Sequence, residues 1–293
     1  MPNKPDFIII GSMKSATSSL YQQLSIQDGI FMCSPKEPNF FSDDNNYRNG
    51  IAWYEDLFRH SRRTDICGEA STHYTKLPTY PHTIERMRDH LKKVKLLYVL
   101  RNPIDRLISH YIHEWSQGVI TCNIDKAINN HRELIEYSYY NRQIEPYLSA
   151  YGRDSILLLS FDRLKYHPQA EFERVCRFIG YEKHPKWAVD LPPSNVSRDR
   201  VKRFPFYDVL IESPFARGIR RTLVPKSWRA RIKRHLTMQQ RPQPSNDSVQ
   251  KLETLFNQDL HLLGHKLGLP DLNCSNFSRL TSEAPLEWVR HDD

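Results

Sequence analysis

Lys14 stands three residues after Gly11 and is followed by Ser15, Ala16, Thr17, Ser18 and Ser19, a run of small and hydroxyl-bearing residues ahead of Leu20. Such a run suits a phosphate-like anion. Small side chains let a ligand approach the backbone, hydroxyls donate hydrogen bonds, and a lysine adds a mobile positive charge. A helix starting here would point free N–H groups and the positive end of its dipole at the same spot. The spacing is not that of the G-x-x-x-x-G-K-[ST] loop, because Lys14 follows Gly11 too closely and no second glycine precedes it. Taken alone, the same residues would also serve as a solvated loop capping an ordinary helix.

A second group of chemically able residues begins at Arg101. Asn102 is a good helix N-cap and Pro103 a good first helical residue, so Arg101 is expected where a strand ends and a helix begins. Arginine suits two-pronged contact with phosphate. Ser109 lies six residues past Pro103, about 9 Å along a helix, so a phosphate beside that helix would meet both residues. The competing reading pairs Arg101 with Asp105 and leaves Ser109 on the surface. His110 and His113 are three apart with no cysteine or acidic partner at metal-ligand spacing, so no metal is expected.

The elements that must hold these groups follow from apolar patterning. Phe7–Ile10, Ile66–Gly68, Val94–Leu100 and Ser155–Phe161 read as buried parallel strands. Helices are expected at about Thr17–Ser25, Ile51–Arg59, Tyr80–Leu91, Pro103–Gln117, Ile124–Asn130, Tyr137–Tyr151 and Pro168–Ile179, with a last one over Asp247–Leu267. Strand–helix alternation of this kind predicts a three-layer α/β fold with a central parallel sheet flanked by helices. Ligands in such sheets sit at the carboxyl ends of the strands. Lys183–Arg203 is polar and proline-rich and reads as a long loop.

Composition narrows the class. The chain has 293 residues, enough for a sizeable core, and its 39% hydrophobic and 26% charged content suits a folded globular protein. No apolar run approaches the ~18–20 residues of a membrane span. Phe7–Ile10 is too short for a signal-peptide core and no cleavage signature follows, so a cytoplasmic protein is expected. The five cysteines are scattered, without a C-x-x-C pair, which supports neither a disulfide framework nor a zinc site. The net charge of +8 is uneven: residues 198–241 hold thirteen Lys or Arg against three acids, leaving the rest of the chain near −2. Such a segment suits an anionic partner.

Taken together, the motifs resemble the sulfotransferases that use 3′-phosphoadenosine 5′-phosphosulfate (PAPS). Lys14-Ser-Ala-Thr-Ser-Ser-Leu20 is similar to the family's K-x-G-T-[ST]-x-L loop, with Ala16 in place of the usual glycine. Arg101 through Tyr111 matches its R-[ND]-P-x-x-R-x-x-S-x-Y segment. Lys36-Glu-Pro-Asn-Phe-Phe41, Gly50-Ile-Ala-Trp-Tyr54 and Gly68-Glu-Ala-Ser-Thr-His-Tyr74 resemble segments of the heparan-sulfate-type branch and its bacterial relatives. The likeness covers roughly residues 6–180, with weaker echoes at Asn195-Val-Ser-Arg198 and in the final helix.

The resemblance implies a P-loop-like fold in a single sulfotransferase domain over residues 1–293, with a core at 6–180 and a basic, mostly helical part at 198–270. It implies PAPS as donor and 3′-phosphoadenosine 5′-phosphate (PAP) as product. Lys14 and the 15–20 segment (Ser15, Ala16, Thr17, Ser18 and Ser19) would hold the 5′-phosphosulfate. Arg101 and Ser109 would grip the 3′-phosphate, and Ser197 and Arg198 join the cofactor-binding set. Glu37, in a partly apolar wall, would take the proton of an acceptor hydroxyl or amine, with His110 as the other candidate base. The chemistry agrees: in-line transfer at sulfur needs alignment, charge stabilisation and a base within reach. Without the resemblance, Glu37 reads as an exposed acid paired with Lys36.

One position departs from the pattern. Where the glycan-modifying members carry an active-site lysine in E-K-[ST]-P, this chain has Ala70, and Ser71, His73 and Tyr74 become the residues expected to line a different acceptor site. The acceptor is a glycan, lipid, peptide or small metabolite, with an acidic one suited to the basic segment. Residues 226–236 form a basic amphipathic pattern that fits an anionic membrane surface or an acidic acceptor, and equally a solvated, docked helix. No nucleic-acid-binding motif accompanies it. The remaining alternatives are a P-loop kinase-like phosphotransferase and a non-catalytic nucleotide- or membrane-binding module.

Overall fold

Runs such as Phe7-Ile-Ile-Ile10 form strands because apolar residues on both faces need burial from both sides, which helices on either side of a parallel sheet provide. In the computed structural model, which describes residues 4–191, 238 and 240–289, this is the arrangement found. Strands β1 (Phe7–Gly11), β2 (Ile30–Met32), β3 (Ile66–Ala70), β4 (Lys95–Leu100) and β5 (Ile156–Ser160) make one sheet in the order β2-β3-β1-β4-β5. Every pairing is parallel.

Side chains alternate between two cores, as the two-residue period of a strand requires. Ile8, Ile10, Leu96, Tyr98, Ile156 and Leu158 face one core, completed by residues of α5 (Pro103–Ser116), α8 (Tyr140–Tyr151) and the later helix α11 (Asn246–Lys266). Phe7, Ile9, Leu97, Val99, Leu157 and Leu159 face the other, covered by α1 (Thr17–Ser25) and α10 (Pro168–Phe178). Among the described residues the remaining helices are α2 (Asp44–Arg48), α3 (Ile51–Asp56), α4 (Thr83–His90), α6 (Ile124–Asn130), α7 (Glu133–Glu136), α9 (Phe161–Tyr166) and α12 (Phe277–Glu283). A 3-10 turn spans Thr72–Thr75.

The expected strands and long helices appear within a few residues of their predicted ends. Strand β2, helices α2, α7, α9 and α12 and the Thr72–Thr75 turn escaped the sequence reading. Strand β2 is only three residues long and sits at the sheet edge. Helix α9 begins at Phe161, inside a run read as strand, because Ser160 caps it by accepting from Asp162 N at 3.2 Å and Arg163 N at 3.4 Å. Helix α12 packs close to α9 near the chain's end. Among the described residues, no helix is long and apolar enough to cross a membrane. The 226–236 segment, together with Ser197 and Arg198, lies outside the described residues.

The topology fixes where a ligand sits. The chain leaves β1 to build β2 and β3 on one side, then crosses to β4 and β5 on the other. The carboxyl ends of β1 and β4 therefore flank a switch point, where open α/β sheets bind ligands.

Candidate active site

Gly11 ends β1 in a conformation that excludes any side chain. A Cβ there would lie 2.0 Å from Thr75 Oγ1, and φ is +156°. Thr75 Oγ1 donates to Ile10 O at 2.9 Å, so the turn after β3 is tied to the start of the loop. Ser12 then crosses to β4: its N–H and its hydroxyl both donate to Val99 O, at 3.0 and 2.8 Å. Ser15 Oγ pairs with Ser12 Oγ at 2.7 Å and Ser15 N donates to Ser12 O, so this serine braces the loop internally rather than offering its hydroxyl outward.

Ala16 is the N-cap of α1, left-handed at φ 64°, and gives no side-chain cap; the first turn contains no acid. That is a helix N-terminus shaped for an anion, with the N–H groups of its first turn and the dipole directed outward. The left-handed conformation also explains why glycine is usual at this position and places a cost of about 1–2 kcal/mol on the alanine.

Arg101 follows β4 on the other side of the switch point. Its Nη1 donates to Lys14 O at 3.0 Å, and its guanidinium lies 4.5 Å from the centre of the Phe161 ring. Its Nε is buried with no hydrogen-bond partner among the described residues, and burial pushes its pKa down. The alternative pairing with Asp105 does not occur, because Asp105 is paired with Arg241. Asn102 caps α5 as expected, accepting from Ile104 N at 3.1 Å and Asp105 N at 3.3 Å. Ser109 is buried in the second turn of α5, at 3% exposure, rather than lying on the surface.

Glu37 lies past the end of β2, and its N–H donates to Ala70 O at 2.9 Å. Thr72 holds its carboxylate, through its N–H to Oε2 at 2.7 Å and its hydroxyl to Oε2 at 3.1 Å. Lys36 makes an ion pair with Oε1. Phe40 and Phe41 are fully buried and pack on Tyr54, while the Glu37 side chain is 29% exposed and held by Thr72 and Lys36. Among the described residues, the non-glycine positions with positive φ are Lys14, Ala16, Glu37 and Asn39. All four fall in the two segments that would meet donor and acceptor, where strained backbone tends to gather.

Behind Glu37 lies a closed carboxyl network. Glu69 is wholly buried, accepts from Tyr54 OH and from Ser71 Oγ at 2.6 Å, and burial raises its pKa to about 7. Ala70 is buried in the core beneath α1, and it meets the site through its carbonyl, which accepts from Glu37 N. Ser71 and Tyr74 are also internal, the first bonded to Glu69 and to Asn39 N, the second with its backbone carbonyl held by Tyr147 OH at 2.6 Å. They support the site rather than line it; of the three expected lining residues only His73, stacked on Tyr80, is partly exposed. His110 is an unsuitable base. It is 2% exposed, its Nε2 faces Glu114 at 3.3 Å, and burial pushes its pKa down to about 4.

The sequence reading missed three residues of this neighbourhood: Thr72, whose bond to Glu37 spans 35 positions; Thr75; and Lys76, a buried lysine at the end of the turn. A buried lysine carries no sequence signal of its own.

This geometry agrees with what the chain is similar to. The family model described as "Sulfotransferase domain" matches residues 4–252, and the chain belongs to that family. Its members use PAPS as donor. The chain is 30% identical over 188 residues to mouse heparan sulfate glucosamine 3-O-sulfotransferase 3B1, covering 61% of this chain and 47% of that one. It is 30% identical over 198 residues to human bifunctional heparan sulfate N-deacetylase/N-sulfotransferase 1, covering 60% and 22%. It thus spans about half the length, or less, of these curated relatives. Among solved structures, a sulfotransferase from Alicyclobacillus acidocaldarius superposes with a TM-score of 0.56 at 27% identity, over 65% of this chain and 87% of that one. Membership of this family, not of the kinases, sets aside the phosphotransferase reading.

Proposed function

We propose that the chain transfers a sulfuryl group from PAPS to a hydroxyl or amine, with Glu37 as the base and with the donor held in the crevice between β1 and β4. PAPS supplies the sulfuryl group and a phosphate that leaves. The N–H groups at the start of α1 and the partly exposed hydroxyls of Ser18 and Ser19 receive the 5′ end. Lys14 neutralises charge on the leaving phosphate. Arg101, with Ser109 along the same strand–helix unit, takes the 3′-phosphate. Glu37 accepts the proton of the acceptor as the new bond to sulfur forms.

The observation that carries this reading is the hydrogen bond from Arg101 to the Lys14 carbonyl, with the Arg101 Nε left buried and unpaired. It joins two cationic grips across the switch point, which suits a nucleotide with phosphates at both ends of its ribose. A thermal-shift comparison tests it. PAP is expected to stabilise the protein by about 2.7 kcal/mol at a hundred times its Kd, and ATP by much less at equal concentration. Stronger stabilisation by ATP would sink the assignment. A labelled-PAPS screen across glycans, lipids, peptides and small metabolites then identifies the acceptor.

A further inference from the structure

Arg101 and Asn102 alone connect β4 to α5, and both are held from distant parts of the chain. Pro103 has no N–H, and the N–H groups of Ile104 and Asp105 go to the Asn102 side chain. The Arg101 carbonyl therefore takes another donor, the Tyr140 hydroxyl, at 2.6 Å. The Arg101 N–H donates back to the same oxygen at 3.4 Å. One phenol thus meets both backbone polar groups of Arg101. The Asn102 amide donates to Cys274 O at 2.7 Å.

Tyr140 is itself firmly placed. It is fully buried, its ring stands edge-on to Tyr98 of β4 with centroids 6.1 Å apart, and it packs against Phe277 of α12. It is also the first residue of α8, a helix whose N-cap, Tyr139, makes no side-chain capping bond. The Asp259 carboxylate of α11 supplies that cap from outside. It accepts from Asn141 N at 2.8 Å and from Arg142 N at 3.0 Å, across 118 and 117 positions. A carboxylate there satisfies free N–H groups and meets the positive end of the helix dipole. Lys266, the last residue of α11, donates to Asn141 Oδ1 at 2.9 Å. Helix α11 therefore fixes the start of α8, and Tyr140 with it.

The Arg101 side chain depends on this support. Among the described residues its guanidinium has one hydrogen bond, from Nη1 to Lys14 O, and rests on the Phe161 ring, while Nε has no partner. Its aim is set largely by where its backbone is held.

We propose that Tyr140 is a positioning residue for the donor's 3′-phosphate, acting through the Arg101 backbone, and that Asp259 sets Tyr140 in turn. It rests on the reading of Arg101 as the 3′-phosphate grip. It adds a part for α8 and α11 in selecting a nucleotide that carries that phosphate.

The test compares PAP with ADP, which lacks the 3′-phosphate, by calorimetry on the full chain. Tyr140→Phe keeps the ring and removes the hydroxyl. PAP affinity should fall about tenfold, as expected when a buried carbonyl loses its donor, and ADP affinity by less than about twofold. Equal losses for the two nucleotides make Tyr140 a general support and overturn the proposal. In an Arg101→Lys background, Tyr140→Phe should change PAP affinity by less than about twofold, because the fork it aims is gone; a second tenfold loss overturns the route through Arg101. Asp259→Asn tests the same route with the tyrosine intact, and carries the test if Tyr140→Phe fails to fold. Its amide can accept only one of the two N–H groups, so the preference for PAP over ADP should fall about threefold. An unchanged preference overturns the part given to Asp259 and α11. Failure of the donor reading appears separately, as an unsubstituted protein that binds PAP no better than ADP.

Discussion

Replacing Glu37 by glutamine separates proton transfer from architecture. The glutamine oxygen can still accept from Thr72 N, now at 2.7 Å, and from the Thr72 hydroxyl, at 3.1 Å. Lys36 loses an anionic partner, but both side chains are partly exposed, so that ion pair is worth less than about 1 kcal/mol. Fold stability should therefore change by less than about 1 kcal/mol, a Tm shift within about 4 °C. Ser12 and Ser15 brace the donor loop on Val99 O and on each other, so PAP stabilisation should match that of the unsubstituted protein. A positioned base contributes about 100- to 10,000-fold, and kcat for labelled sulfate transfer should fall by that factor, roughly 3–5 kcal/mol of barrier. Thr72→Val removes only the hydroxyl bond and should cost about 3- to 10-fold. If Glu37→Gln keeps kcat within about threefold, Glu37 is not the base. If its kcat and its PAP affinity fall together, the carboxylate holds the donor site together instead.

Three further outcomes follow from the structure. Gly11→Ala would drive a methyl group against Thr75 Oγ1, and should lower the unfolding free energy by about 2–4 kcal/mol in a denaturant titration while weakening PAP binding. Arg101→Lys should weaken PAP by about 10- to 100-fold while leaving ADP, which lacks the 3′-phosphate, nearly unaffected; equal losses for both would refute the 3′ assignment. Glu69, with a folded pKa raised to about 7, favours its protonated form in the native state, so its contribution is complete below the unfolded pKa near 4.5 and is lost as pH rises through 7. Relative to the parent, Glu69→Gln should therefore gain on the order of 3 kcal/mol between pH 4.5 and 7.5; a flat difference across that range would refute the buried-acid account.

What could be read in advance was local. The Gly11–Leu20 loop, the Asn102–Pro103 helix start and the apolar strands each announce themselves within a dozen residues, because turn, cap and strand chemistry act over that distance. The misplaced features depend on contacts between distant segments. Ala70 stands at an altered position of the pattern, and β3 pairs with β1 so that Ile9 is its register partner and its side chain is buried, leaving its carbonyl to meet Glu37 N. Tyr74 looked available, but Tyr147, 73 positions later, holds its carbonyl within the core. Glu37 looked like a plain partner of Lys36 until β3 brought Thr72 beside it. Register between strands decides these outcomes, and register is set by the whole sheet.

The short segment from Ser71 to Lys76 carries more of the site than its composition suggests. Ser71 ties it to Glu69 and to the Asn39 backbone, Thr72 holds the Glu37 carboxylate, and Thr75 holds Ile10 O beside the one glycine that the donor loop requires. Base and donor loop are thus referenced to the same turn, not only to the sheet. A change that shifts the turn should move Glu37 relative to the donor without removing either, and misplacement by 1 Å can cost about 100-fold in rate. Substitutions at Thr72 and Thr75 should therefore be non-additive in kcat, each already displacing the turn, while their effects on PAP affinity diverge, because only Thr75 touches the donor side. Additive losses in kcat would mean that the two threonines act as separate supports.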